Sequence, residues 1–376
     1  MKCGSEAVTS GRERDGFRVV ENSEPRSADE IVAVLGDPGF GEYFTDHMVL
    51  IDFVEGKGWL DPRVVPYGPL PLDPASAVLH YGQEIFEGLK VYRNTDGHLR
   101  LFRPEMNARR FAASAARLAL PQLPPETFVE SIGQLARADA RWVPDGPGGS
   151  LYVRPFLIGT EAFLGVRSAR RALYSVIASP AGPYFAETGQ GISIWLSGRY
   201  SRAGAGGTGA AKCGGNYAAY LLAQREAQAR GCAQVLFTDA ATSTWVEEAG
   251  SMNIFFVLAD GTLVTPSLDG TILAGVTRDS VIQLARERGH QVQERPFSIA
   301  EWQHKAATGE LTEVFATGTA AVITAIARLV GEDMLIETPA GGRGSVTAAL
   351  RDELTGIHYG CTFDRRGWMF DLGREG

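Results

Sequence analysis

The chain has 376 residues, 44% of them hydrophobic and 21% charged, which is the make-up of a soluble globular protein with length for two domains or one large one. A net charge of −8 and an isoelectric point near 5.4 argue against nucleic-acid binding, which favours a basic patch. No apolar run approaches the roughly 18 residues that a membrane span needs, and MKCGSEAVTSGRERDGF lacks the apolar core of a signal peptide, so a cytoplasmic protein without a membrane partner is expected.

Residues 1 to about 30 are polar and predict a loose arm. FTDHMVLIDF, the turn EGKGW and DPRVVPYGPLPLD then read as strand, turn and strand. EIFEGLKVYRNTDGHLRLF reads as a hairpin around NTDGH. Two helices are predicted in PEMNARRFAASAARLAL and PPETFVESIGQLARADARWV, followed by strands in SLYVRPFLIGTE and RALYSVIASP. AGPYFAETGQG, residues 181–191, is rich in Gly and Pro near mid-chain and reads as an interdomain loop. GISIWLS reads as a strand, and a glycine-rich stretch leads to a helix from about Asn216 to Arg230, with Gly231 just past its end. AQVLFTD, the stretch STWVEEAGSMNIFFVLADGTLVTP and ILAGV read as strands, and TRDSVIQLARERG as a helix capped by Thr277. EVFATGTAAVITAI reads as a strand broken by a tight turn. The mixture predicts an α/β fold with α+β character rather than a regular βαβ series.

Lys212, in GGTGAAKCGGNYAA, is one of five lysines in a chain with 31 arginines. Arginine is always charged, whereas a desolvated lysine can lose its proton and act as nucleophile or base. The surrounding Gly204-x-Gly206-x-x-Gly209 matches a dinucleotide fingerprint only formally, because seven residues separate it from ISIWL and no helix follows it directly. The P-loop pattern fails too, since Ala211 precedes Lys212 and Cys213 follows it. Taken alone, these glycines would be a flexible surface loop. Lys212 and Tyr217 lie across a Gly-Gly-Asn bend, however, and could converge on one ligand. A lysine that condenses with an aldehyde, beside a tyrosine hydroxyl, suits pyridoxal 5′-phosphate. That cofactor also needs an anion site, for which Gly275, Val276, Thr277 and Arg110 are candidates, and a carboxylate at its ring nitrogen, for which Glu247 and Glu248 are candidates. On a strand those two glutamates face opposite ways, so only one can serve. Four scattered cysteines and six dispersed histidines give no metal-ligand spacing, and Cys213 reads as a small packing residue.

Together these stretches resemble the branched-chain amino acid aminotransferases, which are fold-type IV enzymes dependent on pyridoxal phosphate. The resemblance runs from about Phe40 to Gly360 through FTDHM, LHYGQEIFEGLK, LYVRPFLIGTE, GPYF, GGTGAAKCGGNYAA, EEAGSMNIFF, LDGTILAGVTR and FATGTA. It implies a smaller N-terminal α/β domain over 31–180 and a larger, pseudo-barrel-like cofactor domain over 192–376, in a homodimer. It implies that Lys212 is the Schiff-base lysine, Tyr217 the hydrogen-bond partner of the ring oxygen, and Glu248, not Glu247, the acid at the ring nitrogen. Arg110, Val276, Thr277 and Thr319 match phosphate-binding positions. Tyr81 and the backbone of Thr319 and Ala320 match the substrate-carboxylate site. Phe40, Phe86, Tyr152, Arg154, Val166 and Tyr184 match the side-chain pocket, so the 181–191 loop would close over substrate. The implied reaction is reversible transamination between L-leucine, L-isoleucine or L-valine and 2-oxoglutarate, giving 2-oxo acids and L-glutamate. Rivals are a D-amino acid aminotransferase, an aminodeoxychorismate lyase, and a non-catalytic paralogue that binds the cofactor. Animal members carry Cys-x-x-Cys after the Thr-Gly-Thr-Ala turn; Ala321-Val322-Ile323-Thr324 stands here, so their thiol switch is not expected.

Overall fold

In this computed structural model the chain is described over residues 12–146, 148–185, 191–341 and 344–373. Its two sheets divide the chain near the predicted loop. Among the described residues the first has ten strands and the second nine.

The first sheet is built around the strands Ser150–Gly159 and Arg171–Ala181, which pair antiparallel from Ser150↔Ala181 to Gly159↔Ala172. His47–Val54 and Gly58–Pro66 flank them on one side. On the other lie Leu89–Arg93 and Leu99–Phe102, the predicted hairpin, with Gly97 at φ +81° in its turn. The first half of that hairpin is interrupted. Glu84–Phe86 pairs separately with Ser150–Gly159, and Glu87 and Gly88 form the break. The helices Pro104–Arg117 and Pro125–Ala138 each begin with proline, whose fixed φ suits the first helical position. They bury Phe111, Phe128, Ile132 and Leu135 against the sheet in one cluster with Tyr174 and Trp142.

The second sheet curls back on itself. Val246–Ala249 pairs with both Gln234–Thr238 and Met252–Leu258, and the ring closes through Ile192–Leu196, Val322–Val330 and Leu311–Gly318. Six strands thus make the barrel implied by the resemblance. Closure removes the exposed edges of those strands. Alternation sorts the side chains. Ile254 and Phe256 enter one core with Trp302, whereas Phe255 and Phe315, stacked at 5.0 Å, meet the helices Val276–Glu287 and Ser345–Tyr359.

Several expectations need correction. Residues 12–30 are not a loose arm: Phe17–Val19 pairs with Gly58–Pro66, and Ser27 and Glu30 form a reciprocal capping box on the helix Ala28–Gly36. Residues 1–11 lie outside the described residues, as do 186–190 of the loop. ILAGV is not a strand: residues 272–275 are the non-helical lead into the helix Val276–Glu287, which Val276 begins. The segment 192–376 does not stay in one layer. Met369–Gly373 returns to pair with Leu99–Phe102, which would otherwise be an open edge, and Leu372 joins the first core. No helix among the described residues is long and apolar enough to cross a membrane.

Leu372→Ala removes a side chain from the first core although it lies four residues from the C-terminus. The expected loss of stability is about 2–3 kcal/mol, read from the urea unfolding midpoint. A midpoint equal to that of the parent would mean that the returning strand adds nothing to that core.

Candidate active site

A cleft of about 970 Å³, including its mouth, lies between the two sheets. The first sheet contributes Phe86, Tyr152 and Arg154, with Phe40 bridging to Ala181 at its margin. The barrel side contributes Lys212, Tyr217, the Gly275–Thr277 stretch and the Thr317–Ala321 turn.

Lys212 ends a loop that both layers hold. Its backbone N–H donates to Ser114 Oγ (2.9 Å) and its carbonyl accepts from the Phe86 N–H (3.0 Å). Its neighbours Ala211 and Cys213 are 3% exposed and belong to the core of the first sheet. Asn216 folds the loop by donating to the carbonyls of Thr208 and Ala211. Glu84 reaches from the first sheet to accept from the Gly214 N–H at the start of the helix Gly214–Ala229, where a carboxylate suits the helix dipole. The glycines are therefore not a free surface loop.

Held this way, the amine of Lys212 is buried and donates to the Tyr217 hydroxyl at 2.7 Å. Burial, seconded by the Arg110 charge, lowers its pKa to about 8. Burial also raises the Tyr217 phenol to about 12, so the tyrosine stays neutral and able to accept. The predicted convergence of these two side chains is thus observed.

Glu248 lies behind the cleft on Val246–Ala249 and is 1% exposed. Asn253, which lines the cleft, donates to its Oε1 (3.1 Å). Arg202 Nε lies 2.5 Å from its Oε2, an ion-pair contact whose angle is not that of a hydrogen bond. Burial pushes the carboxyl pKa up, and Arg202 and Lys212 oppose that rise. Glu247 faces the other way and accepts from Thr271 Oγ1 at 2.6 Å. The strand alternation therefore separates the two glutamates as the sequence requires.

At the other end, Gly275 caps the helix Val276–Glu287, and Thr277 is its second residue rather than the cap. A Cβ on Gly275 would sit 2.1 Å from Asn253 Oδ1, so any larger residue there would have to displace the Asn253 side chain. No side chain among the described residues caps this terminus, whose first residues line the cleft beside Thr319, and free N–H groups of this kind suit an anion. Arg110 is not an exposed arginine. Its Nε and Nη2 bind Glu87 at 2.7 and 2.8 Å, and its Nη1 donates to the Ala274 carbonyl. Glu87 is fully buried, takes a further bond from Asn107, and is held ionised by Arg110 against the upward push of burial.

The remaining wall is aromatic. Phe40 meets Tyr152 and Tyr184 edge-on, each at 5.0 Å. Arg154 lies among them, bonded to the Tyr152 hydroxyl and 4.7 Å over the Phe86 ring. A Cβ on Gly88 would overlap the Tyr152 hydroxyl, so that glycine makes room for it. Thr319 and Ala320 line the cleft in the turn between two barrel strands.

Tyr81 and Val166 do not line the cleft. Tyr81 donates to the Leu164 carbonyl and packs on Phe163, and Val166 is 91% exposed. Among the polar residues that escaped the sequence reading are Glu87, Lys90 and Arg202. A glutamate and a lysine inside the apolar run EIFEGLKVY were a signal for the first two. Nothing local marked Arg202.

The model of the class IV amino-transferase family matches residues 84–329, and the chain belongs to that family. It is 53% identical over 360 residues to a branched-chain-amino-acid aminotransferase of Mycolicibacterium smegmatis, covering 95% of this chain and 98% of the relative. A branched-chain amino acid aminotransferase of Escherichia coli has the same fold, with a TM-score of 0.73 at 27% identity over 87% of this chain and 99% of that one. The branched-chain aminotransferase of the thermophilic archaeon Thermoproteus uzoniensis, solved with norvaline, gives a TM-score of 0.71 at 25% identity, over 86% and 99% of the two chains. The resemblance carried by the motifs is borne out.

The amine of Lys212 is charged below about pH 8 and neutral above it. Acetylation of the cofactor-free protein at that residue, followed by mass spectrometry, therefore rises with a midpoint near 8. A midpoint near the ordinary lysine value of about 10.4 would show that burial does not act on it.

Proposed function

We propose that this chain is a branched-chain-amino-acid transaminase that uses pyridoxal 5′-phosphate. It moves the amino group of L-leucine, L-isoleucine or L-valine to 2-oxoglutarate, reversibly, yielding a 2-oxo acid and L-glutamate. The observation that carries the reading is one cleft with a deprotonable lysine at its centre, a buried acid behind it and an anion site at one end. An aromatic wall with a single arginine completes it.

The residues present fit the cofactor. The Thr317 hydroxyl lines the cleft and has no hydrogen-bond partner among the described residues, and a side chain at the Gly275 helix terminus would have to displace that of Asn253. Arg110 and the N–H groups of Val276 and Thr277, with Thr319, would hold the phosphate. Glu248 would hold the ring nitrogen, and Tyr217 the ring oxygen. Bound there, the cofactor would supply a carbonyl that condenses with the amino group and a ring that takes up the electrons left when the Cα proton departs.

The chain's own residues do the rest. Lys212, neutral in about one molecule in ten at pH 7, can accept the Cα proton and return it, a step worth about 10²–10⁴ in rate. Tyr217 fixes where that amine points. Burial raises the Glu248 pKa and Arg202 opposes that rise, and the carboxyl group stands where it would share a proton with the ring nitrogen. Phe40, Phe86, Tyr152 and Tyr184 give an apolar side chain its contact and exclude water. Arg154, desolvated and lacking a carboxylate hydrogen bond among the described residues, suits the side-chain carboxylate of glutamate. The N–H groups of Thr319 and Ala320 receive the carboxylate common to every substrate.

Tyr81 and Val166 bear on the assembly. Tyr81 (38% exposed) and Leu79 (57%) follow Ser76, which bridges to Ala162, just before Leu164 (70%) and Val166 (91%), and Tyr81 bonds the Leu164 carbonyl. An apolar cluster of this kind is costly to leave in water. We place it at the interface of a homodimer, where both residues would complete the cleft of the second copy.

Lys212→Ala is expected to abolish transamination, and Glu248→Gln to lower the rate far more than Glu247→Gln. Equal effects of the two glutamine variants would mean that the wrong glutamate was chosen. In the parent enzyme, a visible absorbance band should be lost on adding L-leucine and regained with 2-oxoglutarate; a response to D-leucine alone would overturn the substrate assignment. Arg154→Met is expected to raise KM for 2-oxoglutarate and L-glutamate roughly 10- to 100-fold while that for L-leucine moves little.

A further inference from the structure

Lys90 is a lysine with no carboxylate partner among the described residues. It is 7% exposed, on the strand Leu89–Arg93, and its ammonium donates to the Ala320 carbonyl at 2.9 Å. That bond crosses from the first sheet to the barrel turn. Tyr92, Asn107, Thr277, Thr319 and His358 face Lys90 across a small cavity behind the cleft. No carboxylate lines that cavity. His358 is stacked on Tyr92 and set edge-on against Phe102, and neither of its ring nitrogens has a hydrogen-bond partner among the described residues. Burial, with the Lys90 charge second, lowers its pKa to about 3, so it is neutral. A buried ammonium without a counter-ion is costly.

The turn that it holds is strained. Val322, the first residue after Ala321, has φ +58°, a left-handed conformation that a β-branched residue rarely adopts. Such a turn could relax by rotating a peptide plane. Rotation of the Ala320–Ala321 peptide would swing a carbonyl oxygen, with its partial negative charge, toward the cleft.

We infer that Lys90 is a positioning residue of the substrate-carboxylate site: its ammonium holds the Ala320 carbonyl turned out of the cleft, so that this oxygen does not repel a carboxylate bound to the N–H groups of Thr319 and Ala320. The inference rests on the proposed function, in which the Thr319–Ala320 turn receives that carboxylate. It adds a fixed positive charge behind the turn, from a residue that does not itself line the cleft. Lys90 thereby acts on the feature shared by amino-acid and 2-oxo-acid substrates, whereas Arg154 acts only on those with a second carboxylate. Burial lowers the Lys90 pKa to about 8, so the grip is present below that pH and lost above it.

The test uses holoenzyme and two leucine analogues, 4-methylpentanoate, which keeps the carboxylate and lacks the amine, and 3-methylbutylamine, which does the reverse. Lys90→Met is expected to weaken inhibition by 4-methylpentanoate roughly tenfold or more. It should raise KM for L-leucine and 2-oxoglutarate together, while the half-reaction of 3-methylbutylamine is unchanged. Lys90→Arg should restore carboxylate binding to within about threefold of the parent. In the parent the inhibition constant of 4-methylpentanoate should rise as the pH passes 8, and in Lys90→Arg that rise should be absent. Unchanged carboxylate binding in Lys90→Met, equal weakening of the amine, or parallel pH profiles in parent and Lys90→Arg would each overturn the inference. If Lys90→Met does not fold, the two pH profiles decide. A parent enzyme that does not turn over L-leucine would instead overturn the proposed function, and this inference with it.

Discussion

A primary amine works as a base near neutral pH only where its charged form is disfavoured, and here burial supplies that condition. Lys212 is taken out of water by the meeting of two sheets. Its backbone is held from the first sheet by Ser114 and Phe86, and its loop is braced by Asn216 and Glu84. Were the sheets to separate, the amine would regain water and with it the ordinary lysine pKa. The layered packing is therefore part of the chemistry, and the cores of Phe111, Phe128 and Tyr174 on one side and Phe256 and Trp302 on the other serve the same amine.

The electrostatics of the cleft are arranged in pairs. Arg110 is neutralised from behind by Glu87, which also fixes its plane, so the guanidinium is positioned before any anion arrives. Glu248 is matched by Arg202 through an ion-pair contact without a hydrogen bond. Such buried pairs are weak contributors to stability but strong constraints on geometry, because removing one partner leaves an uncompensated charge. Among the described residues, Arg154 and Lys90 have no carboxylate hydrogen bond. Each is a desolvated cation with unspent capacity for an anion, one directed at a substrate side chain and the other acting through a carbonyl.

The backbone meets that arrangement with small residues. Gly275 and Gly88 stand where a single methyl group would strike Asn253 or the Tyr152 hydroxyl. They show why the cleft can be lined by backbone N–H groups at one end and by packed rings at the other. The strain at Val322 lies beside the turn with the same task, in keeping with the tendency of functional sites to hold unusual backbone.

Much of this was legible in the sequence. Strand alternation alone separated Glu247 from Glu248, and Lys212 stood out because arginine could not replace it. Local pattern also fixed most elements, since hydrophobic period and turn residues act over a few positions. It failed where the deciding contact was distant. The arm read as loose because its partner strand lies some 40 residues on, and the C-terminal strand was missed because its partner, Leu99–Phe102, lies far back in the chain. Tyr81 and Val166 match site positions yet stand outside the cleft of their own chain. The sequence by itself determined which side chains can do the chemistry and which faces are apolar. The tertiary structure decided which of them lose water and which cations find a counter-ion, because pKa and hydrogen-bond satisfaction depend on neighbours that local spacing does not specify.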